Sequence, residues 1–194
     1  MHFVVVPGVN GSGADHWQSR WQARWGTSAS RISPSSWDEP NLADWCQAID
    51  RAVTALPAGV VLVAHSLGCL AATQWATRRR RDVAGMFLVA PPDQEGPNFP
   101  ADTAPTFTGL TAVPLDVPGL MVVSDNDLYC TAAAAWRLAA GWKLDCVSAG
   151  RAGHLNAASG VGSWDFGHAL LTAFTAGTGA RHAGIDHGLA GRKA

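Results

Sequence analysis

A chain of 194 residues and 20.3 kDa, 47% hydrophobic and 15% charged with a mean hydropathy of +0.05, can bury one sizeable core and does not belong to the disordered class. Its formal net charge of −1 supplies no global field for nucleic acid or an anionic membrane. No apolar stretch reaches the ~20 residues that cross a bilayer, and the start carries neither a basic region nor a cleavage site, so a cytoplasmic protein is expected.

The run Phe3-Val4-Val5-Val6 predicts a first strand over residues 3–6. The glycine-rich stretch Pro7-Gly8-Val9-Asn10-Gly11-Ser12-Gly13 then leads into a helix over 15–25, where Trp17, Trp21 and Trp25 recur every four residues on one face. A short strand is expected at 29–32. An amphipathic helix follows over 41–56, with Asn41 as its N-cap and Leu42, Trp45, Ile49, Val53 and Leu56 on its buried side. A strand over 60–64 and a helix over 67–79 come next. The arginines at 78–81 suit the negative end of that helix and read as a solvated last turn rather than a nucleic-acid site.

Further strands are expected at 85–90, 119–124 and 143–148, with helices at 131–140 and 164–174. Alternating strands and helices of this kind predict a six-stranded, mostly parallel sheet ordered 2-1-3-4-5-6, with helices on both faces. The segment 91–118, rich in Pro, Thr and Asp, leaves the sheet at the strands' C-terminal ends, the ligand side, and is expected to help wall a pocket. A plain surface excursion is the alternative. Residues 178–194 lack an apolar period and read as a disordered C-terminal tail, which leaves a single domain over 1–177. Cys46, Cys69, Cys130 and Cys146 lie far apart without metal spacing; Cys46, Cys69 and Cys146 fall on apolar faces, and buried thiols in a reducing compartment are the expectation.

The chemistry centres on Ala64-His65-Ser66-Leu67-Gly68, set between an apolar strand and a helix. A serine flanked at two residues' distance by small residues in that context reads as a nucleophile elbow, a turn tight enough to push the hydroxyl out over the sheet. Gly68 fits the pattern, and Ala64 adds one methyl group where glycine is usual. Such a serine needs an imidazole within hydrogen-bond reach and a carboxylate to orient it, both from loops after later strands. The loops Ser124-Asp125-Asn126-Asp127-Leu128-Tyr129 and Gly150-Arg151-Ala152-Gly153-His154-Leu155-Asn156 supply them in the required order. His154 is the expected base and Asp127 the expected acid, with Asp125 as the other candidate carboxylate. His65 is expected to be turned away from the nucleophile. The two N–H donors for an oxyanion are expected from Leu67 and from the glycine-rich loop, Val9 first and Asn10 second. No metal set and no phosphate-binding fingerprint emerges.

These motifs, with Asp15-His16-Trp17-Gln18, Trp21, Trp37-Asp38-Glu39-Pro40 and the run from Gly153 to Trp164, resemble those of the YdeN/retinoblastoma-binding-protein-nine family of small serine hydrolases in the α/β-hydrolase superfamily. The resemblance spans the chain from Val4 to about Phe174. It implies a catalytic triad of Ser66, Asp127 and His154, favours Asp127 over Asp125, and implies no metal, no organic cofactor and no large lid domain. Trp37, Asn156 and Trp164 match family motifs that pocket lining or packing would both explain. Pro7 stands where many α/β-hydrolases carry the histidine of a His-Gly pair. One relative's protein-binding role goes with a Leu-x-Cys-x-Glu motif, and the nearest stretch here, 67–71, lacks the glutamate. The expected function is hydrolysis of small carboxylic esters through an acyl-enzyme. An amidase or thioesterase would use the same residues, and a catalytically weak binding module would keep the fold alone. The expected partner is a small acyl substrate, with no nucleic acid and no membrane.

Overall fold

Each apolar run becomes a strand of one sheet in the computed structural model, which describes residues 1–78 and 83–189, with side chains through residue 178. The strands are β1 (His2–Val6), β2 (Ala29–Arg31), β3 (Val60–His65), β4 (Gly85–Val89), β5 (Gly119–Val123) and β6 (Asp145–Ser148). They pair in the order β2-β1-β3-β4-β5-β6, every pair parallel, as the sequence pattern predicts. The helices are α1 (Trp17–Trp25), α2 (Leu42–Thr54), α3 (Leu67–Arg78), α4 (Ala132–Trp142) and α5 (Asp165–Leu189).

Both faces of the sheet are covered, which is why the central strands are apolar on both sides up to His65 at the end of β3. Val60, Leu62 and Ala64 of β3 face the layer formed by α2, α3 and α4, while Val61 and Val63 face the layer of α1 and α5. Asn41 caps α2 as expected, its side chain accepting from the Asp44 amide at 3.1 Å. The segment between β4 and β5 forms no separate domain. Phe99, Ala104, Phe107 and Leu115 bury into the main core, and the Thr106 hydroxyl accepts from the Leu42 amide at the start of α2.

Differences from the expected elements lie at ends. β6 begins two residues late because Lys143, at φ 57°, closes α4 in the left-handed conformation and the Leu144 amide returns to the Ala139 carbonyl. The last helix runs on from its expected end at residue 174 to Leu189, through most of the stretch read as a disordered tail. With no proline to stop it, a nucleated helix keeps adding backbone hydrogen bonds past the end of its apolar period. The arginines after Arg78 and residues 190–194 lie outside the described residues. Among the described residues no helix is long and apolar enough to cross a membrane.

Candidate active site

β3 ends at His65 and α3 begins at Leu67, so the chain reverses at Ser66 alone. Ser66 takes φ 53°, a conformation a side chain disfavours. The turn is tight on both sides. A Cβ on Gly68 would strike the carbonyl oxygens of Val6 and Pro7, and one on Gly8 would lie 2.8 Å from the Ser66 Cβ. Ala64 is fully buried in β3, between Val6 and Leu88 of the neighbouring strands, and its methyl group is accommodated there.

The loops after β5 and β6 converge on this turn. The Ser66 hydroxyl lies 2.9 Å from Nε2 of His154, and His154 Nδ1 lies 2.9 and 3.0 Å from the two carboxylate oxygens of Asp127. The Asp127 side chain is 2% exposed and that of His154 11%. Asp127 Oδ1 also accepts from the Tyr129 amide at 2.9 Å, which fixes the carboxylate's rotamer. Asp125 is engaged elsewhere, accepting from the Ser148 hydroxyl at 2.6 Å. Asn126, between the two acids, ties the loops together: its Oδ1 accepts from the Gly153 amide at 2.9 Å and from the Ser124 hydroxyl at 3.0 Å.

Two side chains grip the main chain of the histidine loop. His65 Nε2 donates to the His154 carbonyl at 2.9 Å, and Trp17 Nε1 donates to the Leu155 carbonyl at 2.7 Å. His65 is turned away from the serine, as expected, yet it supports His154 from behind, the two rings 5.0 Å apart. His16 meets the His65 ring edge-on at 4.7 Å and caps α1, its Nδ1 accepting from the Gln18 amide. Burial, then the charges of Arg31 and of His154, pushes the His16 pKa down to about 4; burial, with the His154 and His16 charges adding to it, pushes His65 well below the usual imidazole range. Both rings are neutral at physiological pH, so an imidazolium at His154 meets no charged neighbour among them.

Backbone amides at two elements border the Ser66 turn. Leu67 opens α3, and the first amides of a helix have no intrahelical acceptor. In the glycine-rich loop the Asn10 amide donates to the Trp37 carbonyl at 3.2 Å, whereas no acceptor among the described residues takes the Val9 amide. Gln18, fully buried, anchors this loop. It donates to the carbonyls of Val6 and Val63, where β1 and β3 part, and accepts from the Ser12 hydroxyl at 2.7 Å. A cavity of about 480 Å³ lies over Ser66, and Pro92, Pro100 and Thr103 of the 91–118 segment contribute to its wall. Asn156 lines this cavity and caps the short turn Ala157–Ser159, whereas Trp37 sits behind the glycine-rich loop and Trp164 in the core.

All four cysteines are free. Burial raises every thiol pKa, with Cys46 and Cys146 at about 11 and Cys130 at about 12, so none is a thiolate nucleophile at neutral pH. Sequence reasoning missed the supporting roles of Gln18, His65 and Asn126. Polarity at buried helical or strand-end positions was the signal available for the first two.

The profile of a family described as serine hydrolase matches residues 3–173. Among solved structures, a YdeN-like hydrolase from Pectobacterium atrosepticum is 33% identical, with 91% of each chain covered and a TM-score of 0.81. The ydeN gene product from B. subtilis is 19% identical over 90% of this chain and 98% of that one, with a TM-score of 0.70. Est1E from Butyrivibrio proteoclasticus, solved with ferulic acid bound, is 14% identical over 79% and 81% of the two chains, with a TM-score of 0.63. At these last two identities the likeness is one of fold. No curated protein matches the chain. The extent of the profile match, together with the YdeN-like structure that follows the chain over most of its length, establishes that this protein belongs to the serine hydrolase family and has the α/β-hydrolase fold.

Proposed function

We propose that the protein is a carboxylesterase-type hydrolase of small esters that works through an acyl-enzyme. The observation that carries the reading is the series Ser66 Oγ, His154 and Asp127, hydrogen-bonded at 2.9–3.0 Å over a cavity of about 480 Å³. In the resting state the Ser66 hydroxyl donates to His154 Nε2, and the Nδ1–H donates to Asp127, which fixes the tautomer. Ser66 Oγ attacks the ester carbonyl as its proton passes to Nε2. The carbonyl oxygen becomes an alkoxide held by the amides of Leu67 and Val9. Collapse breaks the bond to the leaving oxygen, which departs as an alcohol with the proton from His154. Water then adds to the acyl-Ser66 ester by the same route and releases the acid.

The test is intact mass after treatment with a fluorophosphonate, comparing the native protein with Ser66→Ala. A single adduct on the native protein alone is expected, followed by turnover of short esters in a panel that includes thioesters and amides. No adduct on folded native protein would leave the fold without an activated serine and overturn the reading. Turnover confined to thioesters or amides would keep the mechanism and change the substrate class.

A further inference from the structure

The loop that carries Val9 is held in an unfavourable shape. Asn10, Gly11 and Ser12 lie in succession in the left-handed region, at φ 66°, 73° and 54°, and two of the three carry a Cβ that disfavours it. Such a segment keeps its conformation only when its surroundings over-determine it. Trp37 closes one side: its carbonyl accepts from the Asn10 amide, and a Cβ on Gly11 would lie 3.0 Å from the ring's Cγ.

Arg31 closes the other. It stands at the end of β2, paired with Val5 of the strand from which the loop emerges. Its Nη1 donates to the Gly11 carbonyl and, at 3.0 Å, to the Ser12 carbonyl. Nη2 donates to the Ser19 hydroxyl at 2.8 Å and Nε to Gln22 Oε1 at 2.9 Å. The Ser19 hydroxyl in turn donates to the Ser12 carbonyl at 2.6 Å. Every acceptor is neutral, and among the described residues no carboxylate pairs with the guanidinium. A half-buried cation with no carboxylate partner among the described residues therefore lies against the loop that carries the Val9 amide.

We infer that Arg31 is a positioning residue of the oxyanion site, fixing the left-handed turn at Gly11 and Ser12 so that the Val9 amide is aimed at the developing alkoxide. A planar fork suits this task, because one group must hold two successive carbonyls and a hydroxyl at fixed angles, which a lysine ammonium does less rigidly. The inference rests on the hydrolase reading above.

The test uses a trifluoromethyl ketone labelled with ¹³C at its carbonyl. Ser66 Oγ adds to that carbon, its proton passes to His154, and the resulting hemiketal oxygen occupies the oxyanion site. The carbon's chemical shift then follows ionisation of that oxygen. In Arg31→Met the pH of this ionisation should rise by about one unit or more. Turnover should fall about tenfold to a hundredfold, short of removing a donor outright, with KM changed less than about threefold. Arg31→Lys should fall between Arg31→Met and the native protein. Ser19→Ala, a milder change for the case that Arg31→Met does not fold, should shift the ionisation the same way by a smaller amount. A native protein that takes no fluorophosphonate adduct overturns the hydrolase reading and this inference with it. A labelled native protein whose variants titrate unchanged, or lose only thermal stability, overturns the role of Arg31 alone.

Discussion

Four consecutive residues, Asp15 to Gln18, show how much one turn of chain can hold in place. Asp15 pairs with Arg20 at the surface, at 3.1 Å. His16 caps α1, Trp17 grips the histidine loop and Gln18 anchors the glycine-rich loop. The stretch could be quoted from the sequence as a motif, but its tasks could not be read there, because Trp17 meets its partner across 138 positions and Gln18 one of its partners across 45. The neutral state of His16 has a consequence for stability. Its pKa is about 4 in the folded protein against an ordinary 6.5, so above pH 6.5 neither the folded nor the unfolded chain carries the proton. Below 6.5 the unfolded chain takes it up while the folded protein refuses it until about pH 4, and stability is lost across that window. The shift corresponds to about 3 kcal/mol in all. His16→Asn keeps an acceptor for the Gln18 amide and removes the titration. Urea unfolding at pH 7 and pH 4.5 should show a smaller loss on acidification for the variant than for the native protein. Equal losses would mean that other groups carry the acid sensitivity.

At the scale of elements, the strands and helices were legible because the central strands are apolar on both faces and the helices on one, and those patterns depend on no distant partner. Their ends were less legible. Lys143 ends α4 in a conformation usually left to glycine or asparagine, and α5 continues past its apolar period. The elbow is the exception, an end that could be located to the residue, because its steric demand is local and severe. Gly68 has no room for a side chain against the Val6 and Pro7 carbonyls, and those belong to the strand end that feeds the glycine-rich loop. Gly68→Ala should therefore push α3 from β1 and disturb Ser66 and the Val9 amide together. A destabilisation of about 1–3 kcal/mol is expected, as for other overpacked sites. Loss of fluorophosphonate labelling should exceed what the unfolded fraction explains. A variant that labels at the native rate while folded would show that the turn tolerates the extra atom.

At the scale of the whole molecule, the order of the site residues along the chain follows from the topology. β3 presents Ser66 at the sheet's centre, and the loops after β5 and β6 carry Asp127 and His154 in turn, so the sequence order Ser66, Asp127, His154 is a statement about strand order. What the sequence left open was the region over the sheet, since the 91–118 segment has no period to read. The structure shows it serving two ends at once: Phe99 and Phe107 sink into the core, while Pro92, Pro100 and Thr103 stand at the cavity. A wall anchored in the core cannot retreat without exposing apolar surface, at roughly 25 cal/mol per Å². The cavity of about 480 Å³ is thus bounded on that side by a fixed wall, not by a mobile lid. An acyl chain long enough to reach past this wall must run out into water or displace it. Acetyl and butyryl p-nitrophenyl esters should accordingly be turned over with kcat/KM at least about tenfold above the decanoyl ester, a difference of about 1.4 kcal/mol in transition-state binding. Comparable values across the series would mean that the 91–118 segment moves aside for long substrates and that its core contacts are weaker than the burial of Phe99 and Phe107 implies.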